Sequence, residues 1–179
     1  MEKHLQNITS LAVLHFSPER TLYTYLRNKR PKIYTFTDID PSQYLFAKKH
    51  MQQGDIRALH FADHSFDLVV CNHVLEHVVE DEKAMQEIFR ILKPGGRAIL
   101  QVPVSYVLAK TKEDASVVGP DNREREFGQD DHVRIYTHDD YIARLKKAGF
   151  SVNESFRPTP EEMEGMAMDP RERLFVATK

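Results

Sequence analysis

The stretch from Asp55 to Pro103, DIRALHFADHSFDLVVCNHVLEHVVEDEKAMQEIFRILKPGGRAILQVP, decides the fold class of this 179-residue chain. Phe66 to Asn72 (FDLVVCN) is a continuous apolar run suited to a strand covered on both faces. From Asp81 to Leu92 the residues Ala84, Met85, Ile88, Phe89 and Leu92 recur at helical spacing, and Lys93, Pro94, Gly95 and Gly96 end that helix with a basic last turn and a sharp reversal. The strand RAILQVP follows at once. Strand, helix, glycine turn and strand in this order build the ligand crevices of open parallel α/β sheets.

The same alternation extends outward. LAVLHF (Leu11 to Phe16) reads as a strand, followed after Pro18 by a helix with Leu22, Tyr25 and Leu26 on one phase. KIYTFTDID (Lys32 to Asp40) is β-branched and aromatic, ends in two acids, and leads at Pro41 into a predicted helix bearing Tyr44, Leu45 and Lys48. Ile56 to His60 is expected to form a third short strand. Ala109 to His132 is polar, with charges of both signs and no sustained period, and reads as a lid or binding loop. Thr137 is a plausible N-cap for a helix carrying Tyr141, Ile142, Leu145 and Ala148 and closed by Gly149. SVNESF and RLFVATK complete the sheet, joined by an acidic loop from Pro158 to Pro170. The expectation is one α/β domain over residues 1–179, with a doubly wound, mostly parallel seven-stranded sheet and an antiparallel last strand.

A formal net charge of −2 gives no broad attraction to nucleic acid or an anionic membrane, so neither is expected as a partner. No apolar run approaches the roughly 20 residues that cross a bilayer, and MEKHLQNITS lacks the apolar centre of a signal peptide, so a cytoplasmic location is expected. Cys71, the lone cysteine, lies in an apolar strand and reads as a buried inert thiol.

Four constellations carry chemistry. Asp38, closing the second strand beside Ile39, is placed to accept hydrogen bonds from both hydroxyls of a ribose, while Asp40 reads as the cap of the next helix. Asp55 and Ile56 pair a carboxylate with an aliphatic side chain, a combination that holds an adenine ring, although a Gly-Asp pair is also an ordinary turn. HVLEH (His73 to His77) matches the HxxEH arrangement of inverted zinc peptidases, but it begins directly after a strand and has no evident downstream ligand helix. No metal is therefore expected, and a zinc hydrolase is a remote alternative. His132 and Arg134 in DDHVRIYTHDD form a potential proton acceptor and anion clamp, or simply a charged entry to a helix.

Taken in order, DIRALHFADHSFDLVVCNHVLEHV, AMQEIFRILKPGGRAILQVP and HVRIYTHDDYIARLKKAGF resemble the class I S-adenosylmethionine (SAM) dependent methyltransferases of the small-molecule type. The resemblance implies a Rossmann-like methyltransferase fold, SAM as cofactor and a small-molecule methyl acceptor. It places the SAM ribose on Asp38, adenine on Asp55 and Ile56, and the methionine part beside Cys71, Asn72 and His73, with Leu75 to His77 facing the reacting methyl. At the first strand the chain departs from the family's acid and GxGxG loop: His15 stands at the acid, and Ser17, Glu19 and Thr21 stand at the glycines. LHFSPE is similar to an LHFAPE variant of the same family, which also carries FGQDDHVR, and this variant loop places His15, Phe16, Ser17, Pro18 and Glu19 at the cofactor. Where a base is needed, His77 and His132 are the candidates, with Arg134 positioning an acidic group. The rival reading is a module of the same fold that has lost transfer activity.

Overall fold

The computed structural model describes residues 5, 7–47, 50–153, 159, 171 and 173–179. In chain order the strands of the main sheet are β1 (Ala12–Phe16), β2 (Ile33–Asp38), β3 (Gln52–Gln53), β4 (Phe66–Asn72) and β5 (Leu92–Gln101). The small strands β6 (Val104–Ser105), β7 (Lys112–Glu113) and β8 (Arg134–Thr137) come next, and β9 (Ser151–Asn153) and β10 (Val176–Thr178) return to the main sheet. Its seven strands run in the order β3-β2-β1-β4-β5-β10-β9, parallel except for β10, which is antiparallel to both of its neighbours. The expected seven-stranded, mostly parallel sheet with an antiparallel last strand is what the chain forms.

Alternation along the central strands explains why both faces are covered. Val69 and Cys71 of β4 join Leu14, Phe16, Ala98 and Leu100 on one face, where helices α2 (Asp81–Ile91) and α4 (His138–Lys147) supply Ala84, Met85, Ile88, Ile91, Tyr141, Ile142 and Leu145. Leu68 and Val70 face the other way with Val13 and Ile99, packed by Leu26 of α1 (Arg20–Asn28) and by Leu5 and Ile8. Each fully buried leucine, isoleucine, valine or phenylalanine among them contributes about 1.5–3 kcal/mol. The winding reverses between β1 and β4, so the crevice of this sheet opens at the carboxyl ends of those two strands.

The periodic elements fall where the sequence places them, including α2 and the helix after Thr137. The third strand does not: it forms at Gln52–Gln53, and Ile56 to His60 is a turn. Asp55 accepts from the Arg57 N–H (2.9 Å) through its side chain and from the Ala58 N–H (3.0 Å) through its carbonyl, taking donors that a strand would need, while Ile56 and Leu59 turn into the core. After Pro41 the chain makes a 3-10 turn over Pro41–Gln43, capped by Asp40 accepting from the Ser42 N–H; Lys48 lies outside the described residues. The polar stretch Ala109 to His132 contains β7 and a helix α3 (Pro120–Phe127), whose sole buried side chain is Phe127, too few for an apolar stripe to betray it. β6, β8 and β7 form a second small sheet, so the segment at Arg134 is a strand rather than a loop. Glu154 to Phe156 of SVNESF, and the Pro158 to Pro170 loop apart from Thr159, lie outside the described residues.

Gly149 ends α4 with φ +110°, and a Cβ there would stand 2.9 Å from the Phe89 ring. Gly149→Ala is expected to destabilise the protein by about 2 kcal/mol, through the left-handed backbone and overpacking together. Urea denaturation checks this, as a lower midpoint at unchanged slope.

Candidate cofactor and active site

Parallel pairing sets Phe16 of β1 level with Thr37 of β2 and with Cys71 of β4, so Ser17, Asp38 and Asn72 follow at one level of the crevice. Ser17 adopts φ +43°, the left-handed conformation that glycine takes most easily. The loop therefore keeps a glycine-type backbone turn without glycine. Its N–H donates to the Thr37 carbonyl (3.0 Å) and its hydroxyl donates to Asp38 Oδ2 (2.5 Å). Tyr44 donates to the same oxygen (2.7 Å), and the Asp40 N–H donates to Oδ1 (2.7 Å). Burial and then the Asp38 bond push the Tyr44 phenol up to about 12, so at neutral pH it remains a donor.

His15 is fully buried at the end of β1, its Nδ1 paired with the Tyr34 hydroxyl (2.8 Å) and its Nε2 with Glu19 Oε2 (3.1 Å). Asn72 at the end of β4 donates from Nδ2 to Glu19 Oε1 (3.1 Å). Glu19, at the cap position of α1, thus bridges β1 and β4 across the mouth of the crevice. Loss of hydration raises its carboxyl pKa, but bonds from His15, its own backbone and Asn72 outweigh that and hold it below the usual range. Asn72 Oδ1 is buried with no hydrogen-bond partner among the described residues. Phe16 and Pro18 are buried beneath this bridge, whereas Ile39 is exposed.

Asp55 is gripped by Arg57, whose Nε and Nη2 reach its two oxygens at 2.7–3.1 Å. That bond holds the Asp55 carboxyl low and occupies the face on which the sequence places adenine, with Ile56 buried beside it. Gly54 brings this turn against β2: its N–H donates to the Asp38 carbonyl (2.9 Å).

Beyond β4, His73 has φ +53°, and Leu75–His77 is a single 3-10 turn. The helix on which His73 and His77 would share a face is absent, and with it the HxxEH zinc geometry. His73 instead bonds through its N–H to the Gln101 carbonyl (2.8 Å), and Glu76, 3.4 Å away, raises its pKa. His77 meets His132 edge to face, ring centroids 4.7 Å apart, so the two proposed bases do converge. Arg134 is placed differently from its expected role. It is buried, and it donates to the carbonyls of Leu75 (3.1 Å), Val78 and Val79 (2.8 Å) and to Glu113 (2.9 Å). Those donors are spent on the 3-10 turn, so Arg134 positions that turn instead of clamping an anion.

Sequence reasoning missed Tyr34, Tyr44 and Arg57, which lock His15, Asp38 and Asp55. It also missed the network in which Asp81 accepts from Tyr136 (2.6 Å) and Arg144 (3.0 Å) behind the turn. The one available signal was that Asp38, Tyr44, Asp55 and Arg57 are close in sequence. Cys71 is buried, and burial raises its thiol pKa well above the ordinary value, in keeping with an inert role.

Residues 19–100, from the cap of α1 through nearly all of β5, match the family model described as methyltransferase domain. That match spans under half of the chain, and the fold is the one shared by SAM-dependent methyltransferases. The chain shares 44% identity over 48 residues with ubiquinone/menaquinone biosynthesis C-methyltransferase UbiE from Salmonella arizonae, a match covering 27% of the chain and only 19% of that protein. It superposes on an S-adenosylmethionine dependent methyltransferase from Mesorhizobium loti with TM-score 0.70 at 16% identity, covering 99% of this chain and 95% of that one. Burkholderia thailandensis 1,6-didemethyltoxoflavin-N1-methyltransferase, solved with 1,6-didemethyltoxoflavin and S-adenosylhomocysteine, gives TM-score 0.67 at 18% identity, covering 99% and 74%. Among the described residues, no helix is long and apolar enough to cross a membrane.

Proposed function

We propose that the chain uses SAM to methylate a small-molecule acceptor, as one cytoplasmic domain spanning residues 1–179. The observation that carries this reading is the Glu19 bridge with its neighbour Asn72 Oδ1. An ionised carboxylate and a buried carbonyl oxygen without a donor among the described residues meet at the winding reversal, where an α-ammonium group satisfies both. The residues present therefore fit the methionyl end of SAM, and Asp38 fits its ribose once the Ser17 and Tyr44 hydroxyls give way. When bound, SAM supplies a methyl group already activated on a sulfonium.

The protein's own work is then alignment and the exclusion of water. Phe16, Ser17 and Pro18 with Asn72 and His73 hold the cofactor's methionyl side, and Ile56 provides an apolar wall for its base. His77 or His132 takes a proton from an acceptor that carries one. A cavity of about 430 Å³ beyond the end of β5, lined by Ser105, Tyr106, Thr137, His138, Arg171 and Arg173, has the size of a small-molecule site. The net charge of −2 argues against a nucleic acid acceptor. A non-catalytic module of the same fold is favoured by one feature, the closure of Asp38 on Ser17 and Tyr44 and of Asp55 on Arg57.

Calorimetric titration separates the two. Binding of SAM and S-adenosylhomocysteine at micromolar concentration is expected, and no heat up to millimolar concentration would replace this reading with the module.

A further inference from the structure

Behind the 3-10 turn three groups that ligate metals come together: Glu76, His77 and His132 each offer one ligand atom, all within 4.8 Å of one another. Two buried atoms there lack partners among the described residues. Glu76 is 1% exposed, and its Oε2 accepts no hydrogen bond; its other oxygen has only His73 Nδ1 at 3.4 Å. His77 Nδ1 is buried and likewise unbonded, lying 3.2 Å from Asp131 Oδ2 but out of hydrogen-bond alignment. A buried carboxylate oxygen with no donor is costly, and a cation removes that cost.

The cluster is built by the fold. Arg134 fastens the carbonyls of Leu75, Val78 and Val79, and the Val133 N–H donates to the Glu76 carbonyl (3.0 Å), which brings His132 alongside. We infer that Glu76, His77 and His132 bind a divalent first-row cation, with Asp131 beside them as a further oxygen donor. Two imidazoles and one carboxylate suit zinc, iron or manganese, and at a site of nitrogen and oxygen donors zinc binds most tightly of these three. Ligand atoms around tetrahedral zinc sit about 3.4 Å apart, so the three side chains close by about 1 Å on binding.

Resting on the methyltransferase reading, this site also names an acceptor class: a compound whose hydroxyl or phenol oxygen ligates the cation. Such an oxygen loses its proton to solvent water near neutral pH because the cation stabilises the oxyanion. His77 and His132 then serve as ligands, and the metal replaces a side-chain base.

The test is metal analysis of the full chain, with Zn²⁺ and Co²⁺ as probes. Wild type stripped by chelator is expected to take up one equivalent of Zn²⁺, to melt at higher temperature with it, and to show tetrahedral or five-coordinate absorption with Co²⁺. His132→Ala and Glu76→Gln are expected to lose at least tenfold in Zn²⁺ affinity. Should Glu76→Gln fail to fold, His77→Gln, at a more accessible position, gives the same reading. SAM titration runs in parallel: Zn²⁺ uptake without SAM binding would sink the methyltransferase reading and leave the metal site standing. Absence of stoichiometric uptake by wild type, or equal uptake by all variants, overturns the site.

Discussion

Arg134→Met is expected to lower folding stability by about 3–5 kcal/mol, the cost of breaking a buried charged pair from one side. The Arg134 side chain is 4% exposed and its guanidinium lies 3.6 Å from Asp81, itself equally buried. Methionine fills much of the volume but donates nothing. The Val78 and Val79 carbonyls then lose this donor at the turn that holds Glu76 and His77, while the Leu75 carbonyl keeps the Tyr136 hydroxyl (3.3 Å) and the Val78 N–H (3.2 Å). Part of the loss is tempered because Asp81 keeps Tyr136 and Arg144, and the bond to half-exposed Glu113 contributes little once solvent screening is counted. Urea denaturation measures the change, and a shift below about 0.5 kcal/mol, the range of ordinary surface substitutions, would sink the structural role. Arg134→Lys is expected to fall between, since an ammonium reaches one carbonyl where the guanidinium fork reaches three. Acceptor KM distinguishes the two roles: an anion clamp would raise it in Arg134→Lys at unchanged stability.

Asp38→Ala is expected to weaken S-adenosylhomocysteine binding about 100-fold. Two hydrogen bonds from ribose hydroxyls to a carboxylate contribute about 1.5 kcal/mol each at the low end, and each 1.4 kcal/mol is tenfold in affinity. Ser17→Gly provides the converse. It removes the hydroxyl that now occupies Asp38 Oδ2 and relieves a side chain held at φ +43°. Affinity is expected to tighten by about threefold, the worth of one hydrogen bond no longer exchanged. Calorimetry reads both variants. Equal affinities in wild type, Asp38→Ala and Ser17→Gly would remove the ribose from Asp38.

What could be read from the sequence follows a physical divide. β4, α2 and β5 were legible because each buries a face whose period is written in apolar residues: Val69 and Cys71 on one side of β4, Leu68 and Val70 on the other, and Ala84, Met85, Ile88 and Ile91 along α2. α3 and the turn after Asp55 were not. The helix buries only Phe127, and the turn is made by the Asp55 side chain competing for backbone donors, which leaves no periodic trace.

The site divides in the same way. His15, Ser17, Asp38 and Asn72 were legible as residues at strand ends, because strand order alone brings the ends of β1, β2 and β4 together. Their present bonds were not: Ser17 and Tyr44 on Asp38, Arg57 on Asp55 and Glu19 between His15 and Asn72 depend on rotamers and on loops whose paths the pattern leaves open. Local pattern is enough to specify the doubly wound sheet and the crevice at its winding reversal, because hydrophobic periodicity is local and encodes which face of each element is buried. That Arg134 braces a turn, and that Glu76 and His77 meet His132, 55 residues beyond His77 in the chain, emerges only once the elements are packed together. Pairing across such separations is set by how the packed elements place their side chains, which no local period records.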